Sequence, residues 1–181
     1  MKKALLIYAN GSEDIEITAT ADVLARGGIA VVHAALGDNC EVKLAHGTRV
    51  HCDLCLKEAD DRYDVIVIPG GLQGALDCSK DETLLKLLRK QKESGRLIAA
   101  ICAAPGFVLA RNGILDQERA TGYPGCDDEI KNCTGKGVEI SENGQFITGK
   151  GPAFSMQFAL AVLKQLEGPV IAEKVAEGML F

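Results

Sequence analysis

Cys102 stands where an α/β protein would carry a nucleophile. It follows an apolar run at 97–101 and has small neighbours, in the order Ala100-Ile101-Cys102-Ala103-Ala104. A tight strand-to-helix turn needs small neighbours, because it lifts the reactive side chain above the sheet. A helix that starts directly after Cys102 would aim its N-terminal N–H groups at the sulfur and lower the thiol pKa. We therefore predict a reactive thiolate; the alternative is a small buried hydrophobe, a common state of free cysteine.

Glu16 is the candidate partner of this thiol. It lies at the start of a predicted helix after the first apolar strand, with an isoleucine on each side that could draw it toward a crevice. The nearby Glu13 and Asp14 are expected to face solvent and to complement the helix dipole. A carboxyl group buried beside a thiolate would stay protonated and donate a hydrogen bond to it, since two adjacent anions are costly. Glu16 is thus predicted to activate Cys102 and to move protons.

Gly70 and Gly71 end a continuous β-branched run at 64–68. Glycines let a substrate approach the backbone closely, and their N–H groups could stabilise an oxyanion. The alternative is a plain tight turn. The histidines fall on or between predicted strands, so spacing indicates no Cys-His-Asp arrangement.

Two other motifs do not fit the chemistry they suggest. Residues 144–151 nearly match a P-loop, but they lack the final Ser or Thr and place a strand where the phosphate-binding loop should be. Cys52 and Cys55 form a CxxC pair, yet zinc needs a second ligand pair, and Cys126 and Cys133 are too far apart in sequence to supply it. A thioredoxin-type pair belongs at a helix N-terminus, whereas this one is predicted on a strand. We expect no metal and no other cofactor.

Hydrophobic periodicity alternates between strand and helix patterns, which predicts an α/β fold with a mostly parallel sheet. The predicted strands are 3–9, 29–35, 64–68 and 97–101, with a hairpin of 138–141 and 145–148, and the predicted helices are 15–26, 81–93, 153–166 and a segment after Pro169, together with a short helix between Cys102 and Asn112-Gly113. The segment 49–56 is an edge strand or part of a hairpin. Because the reactive crevice of such sheets lies at the carboxyl ends of the strands, Glu16, Gly70-Gly71 and Cys102 are expected to converge there.

Composition limits the remaining functions. The chain has 181 residues, 47% hydrophobic and 25% charged, which fits one globular domain. A net charge of −5 and the absence of tryptophan argue against nucleic acid as a partner. Seven cysteines at irregular spacing indicate free thiols in a reducing compartment, so a cytoplasmic location is expected. The longest charge-free stretch, 97–110, is too short to span a membrane and the N-terminal apolar run is too short for a signal peptide.

Three separated segments resemble the ThiJ/PfpI superfamily. They are residues 4–16 with Gly11-Ser12-Glu13 and Glu16, the strand 63–71 ending in Pro69-Gly70-Gly71, and 99–105 around Cys102. The resemblance extends to Gly151-Pro152 and the helix that follows, and is closest to the branch of the parkinsonism-associated protein deglycase and its bacterial ThiJ-like relatives.

This resemblance implies a flavodoxin-like sandwich with helices on both faces, formed by a single glutamine amidotransferase-like ThiJ/PfpI domain over residues 1–181, and a homodimer. It implies Cys102 as the nucleophile, Glu16 as its protonated partner, and the amides of Gly71 and Ala103 as the oxyanion site. The implied activity is cofactor-independent glyoxalase and deglycase chemistry on methylglyoxal-type aldehydes and their glycated adducts. The alternative is a stress protein that senses oxidants through cysteine sulfinate, or a holdase chaperone.

Two positions depart from the family pattern. Ala103 stands where the peptidase branch has a histidine. The base for proteolysis is therefore absent, and we do not expect peptidase activity. Tyr123 stands where the animal branch has a histidine, and we expect its phenol to donate a hydrogen bond to substrate. The sequence does not fix the roles of Arg26 and His46.

Overall fold

The computed structural model describes residues 1–60 and 62–181. Apolar runs between turns form its longer strands, and short segments of mixed polarity form the others. In chain order they are β1 (Lys3–Tyr8), β2 (Ala30–Ala35), β3 (Glu41–Lys43), β4 (Arg49–His51), β5 (Leu54–Cys55), β6 (Val65–Ile68), β7 (Leu97–Ile101), β8 (Arg119–Ala120), β9 (Asn132–Cys133), β10 (Val138–Ile140) and β11 (Phe146–Gly149).

Seven of these strands form the main sheet, in the order β10-β11-β7-β6-β1-β2-β5. Every neighbouring pair is parallel except β10 with β11, which are antiparallel. The predicted hairpin is present at this antiparallel pair, where Gly144 has a φ angle of 72° that favours glycine. The mostly parallel α/β sheet is therefore confirmed.

Helices cover both faces of the sheet. They are α1 (Asp14–Arg26), α2 (Leu72–Cys78), α3 (Glu82–Glu93), α4 (Ser155–Glu167) and α5 (Pro169–Gly178). Because successive side chains of a strand point to opposite faces, β1 contributes to two cores. Leu6 packs in one core with Val23 of α1 and Phe158 of α4, and Leu5 packs in the other with Leu84 of α3. The flavodoxin-like arrangement is confirmed by this layering.

Some elements differ from the sequence prediction. Segment 49–56 serves both expected roles, since β4 pairs with β3 in a hairpin while β5 forms the edge of the main sheet. The strands β3, β8 and β9 and the helix α2 were not predicted, because they are too short to show periodicity. The short helix expected directly after Cys102 is instead a π-helical segment at Pro105–Ala110.

The topology brings the carboxyl ends of β1, β6 and β7 together. These strands are neighbours in the sheet and run parallel, with Ala4 opposite Val65 and Val65 opposite Leu97. The segments that follow them therefore start at the same edge, where α/β proteins bind ligands. Within residues 1–60 and 62–181, no helix is both long enough and apolar enough to cross a membrane.

Candidate active site

Cys102 directly follows β7 in a backbone conformation that is rare for residues other than glycine. Its φ angle is 64°, which costs on the order of 1–3 kcal/mol and persists only where the surroundings hold it. Its N–H donates to the Gly149 carbonyl at 2.9 Å, and its carbonyl accepts from Tyr123 N–H at 2.8 Å. Ala100 and Ala104 are fully buried on either side. The tight turn with small neighbours is therefore present at Cys102.

Glu16 is fully buried in the first turn of α1. Its Oε2 accepts a hydrogen bond from Gly70 N–H at 2.7 Å, while Oε1 has no hydrogen-bond partner among the described residues. Burial raises the pKa of Glu16 to about 7, although the bonds from Gly70 and from the Cys102 thiol act in the opposite direction. The structure thus places Glu16 in the crevice. The raised pKa extends the pH range over which the Glu16 carboxyl group is protonated.

Gly70 lies between the carboxyl and thiol groups. A Cβ at this position would lie 2.5 Å from Cys102 Cβ, 2.9 Å from Cys102 Sγ and 2.8 Å from Glu16 Oε2. Side chains do not approach this closely, so glycine is required for the two groups to share the site. Gly70 N–H is bonded to Glu16 and orients its carboxyl group, so a role for this amide at a substrate oxygen stays a prediction.

The pKa of the Cys102 thiol is raised, to about 12, and not lowered as the sequence suggested. Burial is the largest cause and the Glu16 carboxylate is the next, because both disfavour a thiolate. The helical segment that follows starts at Pro105 and not directly after the cysteine. Activation of the thiol therefore depends on where the proton of the Glu16–Cys102 pair resides.

Two backbone amides oppose the rise in the pKa of the Cys102 thiol. The N–H groups of Gly71 and Ala103 bond to the Cys102 sulfur and lower the pKa of the thiol. Gly71 has a φ angle of 83°, and a Cβ there would lie 2.1 Å from the Gly11 carbonyl oxygen. The structure brings both predicted oxyanion donors to the sulfur, beside the position that a reacting carbonyl oxygen would take.

Tyr123 contacts Cys102 through its backbone and extends outward through its ring. Its N–H bonds to the Cys102 carbonyl, whereas its side chain is 48% exposed. The ring borders an open groove of about 410 Å³ together with Pro124, Lys150 and Phe154. A hydrogen bond from its phenol to substrate stays a prediction.

A buried acid near the site was missed by the sequence reasoning, and it contacts His46. Glu13, which was expected to face solvent, is 6% exposed, and its Oε2 lies 2.9 Å from Nε2 of His46. His46 sits in the turn between β3 and β4, and its N–H donates to Asp14 Oδ2 at 2.8 Å. The Glu13 charge also raises the pKa of Glu16. A hairpin distant in sequence supplies His46, so no local pattern could have shown the contact.

Arg26 lies away from this centre. It is in the last turn of α1, where its Nε lies 2.7 Å from Asp22 Oδ2. At 1.5 Å of rise per residue, about 15 Å of helix separate it from Glu16. Within one chain, Arg26 therefore does not contact the Glu16–Cys102 pair.

Comparison with known proteins places this site in a wider context. A sequence profile of the DJ-1/PfpI family matches residues 2–165. Protein DJ-1alpha of Drosophila melanogaster is 40% identical over 99% of this chain and 84% of its own length. The glutathione-independent glyoxalase DJR-1.2 of Caenorhabditis elegans is 37% identical over 91% of this chain and 88% of its own length.

Solved structures show the same similarity. The structure of oxidized Toxoplasma gondii DJ-1 superposes with a TM-score of 0.94 at 34% identity, covering 100% of this chain and 99% of that one. Drosophila melanogaster DJ-1beta superposes with a TM-score of 0.93 at 38% identity, covering 99% of this chain and 97% of the other.

Proposed function

Because this chain belongs to the DJ-1/PfpI family, we propose that it is a cofactor-independent glyoxalase and deglycase in carbonyl and oxidative stress defence. Its substrates would be methylglyoxal-type α-oxoaldehydes and their adducts. The supporting observation is the buried pair of Glu16 and Cys102, packed around Gly70 with two backbone amides at the sulfur. A thiol, a carboxyl of pKa about 7 and amide donors are the groups that addition to an aldehyde and proton movement require.

The first step joins the Cys102 sulfur to the aldehyde carbon. The thiol proton passes to the Glu16 carboxylate as the C–S bond forms, and the electron pair of the C=O bond moves to the oxygen. The N–H groups of Gly71 and Ala103 stabilise the negative charge on this oxygen. Glu16 then returns the proton, which yields a neutral hemithioacetal.

The second step moves hydrogen within the substrate. Glu16 removes the proton from the carbon bonded to sulfur, giving an enediolate. A proton is delivered to the neighbouring carbon while the hydroxyl proton of the first carbon passes to the oxygen of the second. The product is a thioester of a 2-hydroxy acid. Water hydrolyses the thioester, which releases the acid and restores the thiol, so the reaction consumes one water and no oxidant or reductant.

The same site would also carry the proposed deglycase reaction. In an adduct of an oxoaldehyde with an amine or thiol, the former aldehyde carbon carries a hydroxyl and the added group. Attack by Cys102 displaces that group, and Glu16 donates the proton that it needs to leave. The resulting hemithioacetal then follows the route described above.

Conversion of methylglyoxal to lactate by the purified chain tests this proposal. Replacing Cys102 by Ser or Glu16 by Gln is expected to lower kcat/KM by at least about 10²-fold, as loss of a positioned nucleophile or acid–base group does. Cys126→Ser, which changes a thiol away from Glu16, is the matched control and should retain activity. Equal lactate production by Cys102→Ser would show that Cys102 is not the nucleophile.

A second function uses the same sulfur. A redox-sensing or holdase stress protein is favoured by the Gly71 and Ala103 amides, which point at the sulfur and could hold the oxygens of a sulfinate. In this reaction the thiol consumes two hydrogen peroxide molecules and yields a sulfinic acid and two waters.

Peptide mass spectrometry after mild peroxide treatment separates the two functions. Sensing predicts two added oxygens on Cys102 before any other cysteine is modified, in a protein with negligible lactate formation. Oxidation of the exposed Cys133 before Cys102 would count against the sensing function.

A further inference from the structure

A second cluster of sulfur ligands lies at the base of the β3–β4 hairpin. Cys40 directly precedes β3 and Cys55 ends β5, and their Sγ atoms are 2.9 Å apart. The Glu58 carboxylate joins them, and one ligand atom from each of the three residues lies within 4.8 Å of the others. None of the three contacts Cys102 or Glu16 in the described hydrogen bonds.

The backbone fixes this arrangement from two sides. Cys52 N–H donates to the Cys40 carbonyl at 2.8 Å, which extends the β3–β4 ladder by one residue pair beyond Glu41 and His51. Cys55 N–H donates to Glu58 Oε2 at 2.8 Å, so the carboxylate is already turned toward the residue that carries the second sulfur. The ligands are therefore brought together by the fold and not by chance contact of mobile side chains.

From this geometry we infer that Cys40, Cys55 and Glu58 bind a thiophilic divalent cation of the zinc type. Two cysteine sulfurs and a carboxylate oxygen are zinc ligands, at about 2.3 Å and 2.0–2.2 Å, and a water would complete a tetrahedron. The two sulfurs separate by somewhat under 1 Å to reach the edge of such a tetrahedron, and the cation displaces the proton of each thiol. Glu58 is exposed and Cys40 partly so, which gives the ion a path from solvent.

Local charges favour the cation. Glu58 contributes a negative charge, and the nearby Lys57 is paired with Asp38, with Nζ and Oδ1 2.6 Å apart. Of the CxxC pair only Cys55 belongs to the site, and Cys40 and Glu58 supply the other two protein ligands.

The ion would act on the hairpin and not on the reaction. It would join the residue before β3 to the turn after β5 and so close the segment 40–55. This hairpin reaches the active site, because Gly11 N–H donates to the Lys43 carbonyl at 2.9 Å and His46 contacts Glu13. Bound metal is expected to protect the amides of β3 and β4 from hydrogen exchange.

Calorimetric titration of the full, phosphine-reduced chain with Zn²⁺ tests the site. We expect one ion per chain with release of two protons, measured in two buffers of different ionisation enthalpy. The Cys102→Ser variant should bind equally well, since Cys102 is outside the site. Cys40→Ser and Cys55→Ser should each weaken binding by at least about 100-fold, and Glu58→Gln by about 10-fold or more.

Matched controls are Cys133→Ser, an exposed thiol elsewhere, and Glu41→Gln, an exposed carboxylate on the same hairpin; both should bind as the wild type does. Cadmium provides a readout that needs no variant, because the thiolate-to-metal charge-transfer absorbance should correspond to two sulfurs. The inference is overturned if reduced wild type binds no Zn²⁺, if binding is lost only in Cys102→Ser, or if Cys40→Ser and Cys55→Ser bind normally. A Cys40–Cys55 disulfide in a chain that binds no Zn²⁺ when reduced would identify a redox pair instead.

Discussion

Glu16 and Cys102 titrate as one unit. Burial raises both pKa values, that of Glu16 to about 7 and that of Cys102 to about 12. The Glu16 carboxylate disfavours the thiolate, whereas the hydrogen bond from the Cys102 thiol favours the carboxylate. Between these values the pair holds a single proton, which resides on sulfur or on the carboxyl oxygen. The form with the proton on Glu16 carries the nucleophilic thiolate. The reactive state is thus a tautomer of the resting state, reached without exchange of a proton with water.

Glu16→Gln is expected to stabilise the fold while it removes activity. The pKa of Glu16 is about 7 in the folded chain against 4.5 for an ordinary glutamate, so the folded state holds this proton more tightly and the free energy of unfolding falls as pH rises across that interval. At 1.36 kcal/mol per pKa unit, the ionised carboxyl costs about 3 kcal/mol above the interval. Urea unfolding should therefore find Glu16→Gln more stable than wild type by up to about 3 kcal/mol near pH 8, with the difference vanishing at low pH. A difference that does not change with pH would contradict this explanation.

Gly70→Ala is expected to damage both stability and activity. The added methyl would overlap Cys102 and Glu16 at 2.5 to 2.9 Å, and overpacking of this kind costs about 1–3 kcal/mol. Gly178→Ala is the matched control, because a Cβ there meets nothing within 4 Å. Gly70→Ala should unfold at a lower temperature and convert methylglyoxal more slowly than Gly178→Ala. A fully active, stable Gly70→Ala protein would show that the crevice is looser than the structure indicates.

At the scale of elements, the start of α1 links the hairpin to the reactive centre. Glu13 caps the helix by accepting from Ile15 N–H at 3.2 Å, its own N–H donates to the Gly70 carbonyl at 3.1 Å, and its carboxylate binds His46. One residue therefore connects α1, the end of β6 and the β3–β4 turn. This connection fixes the angle at which Glu16 enters the crevice.

Glu13→Gln should shift the pH dependence of the reaction to lower pH. The Glu13 charge raises the pKa of Glu16, and the uncharged amide keeps the shape of the side chain. The rise of kcat/KM with pH, which we expect near pH 7 in the wild type from the Glu16 value, should then have a lower midpoint. Asp22→Asn removes the same charge at the far end of α1 and should leave the midpoint in place; an equal shift in both variants would indicate a general charge effect.

At the scale of the whole molecule, two exposed apolar side chains adjoin the site-forming residues. Ile15, next to Glu16, is 57% exposed, and Leu72, next to Gly71, is 62% exposed. Large apolar side chains that are exposed beside a site are candidates for an association surface. They support the prediction of a homodimer, while the cytoplasmic location and the single domain over residues 1–181 stay predictions from composition and resemblance.

Light scattering during gel filtration should give twice the mass of one chain at micromolar concentration. Ile15→Glu should shift the protein toward the monomer, because an unpaired charge in an apolar interface is costly. Val170→Glu, at a position 73% exposed at the start of α5, is the control and should remain dimeric. A wild-type chain that is monomeric under these conditions would refute the dimer.

Local features of the sequence determined the longer strands and helices and singled out the two candidate reactive residues. The apolar runs before Cys102 and Gly70 are long enough to define strands, and the carboxyl ends of parallel strands must meet at one edge of the sheet. The same reasoning placed Glu16 in the first turn of the following helix. These predictions needed only periodicity and the direction of the chain.

The tertiary structure alone decided the environment of each group. The pKa of the Cys102 thiol is raised because burial and the charge of Glu16 come from segments far apart in sequence. The burial of Glu13 by His46, and the meeting of Cys40 with Cys55 and Glu58, likewise depend on how the hairpin folds back. The residue types are known from the sequence. Desolvation and electrostatic interactions depend on distances between segments, and only the folded chain sets those distances.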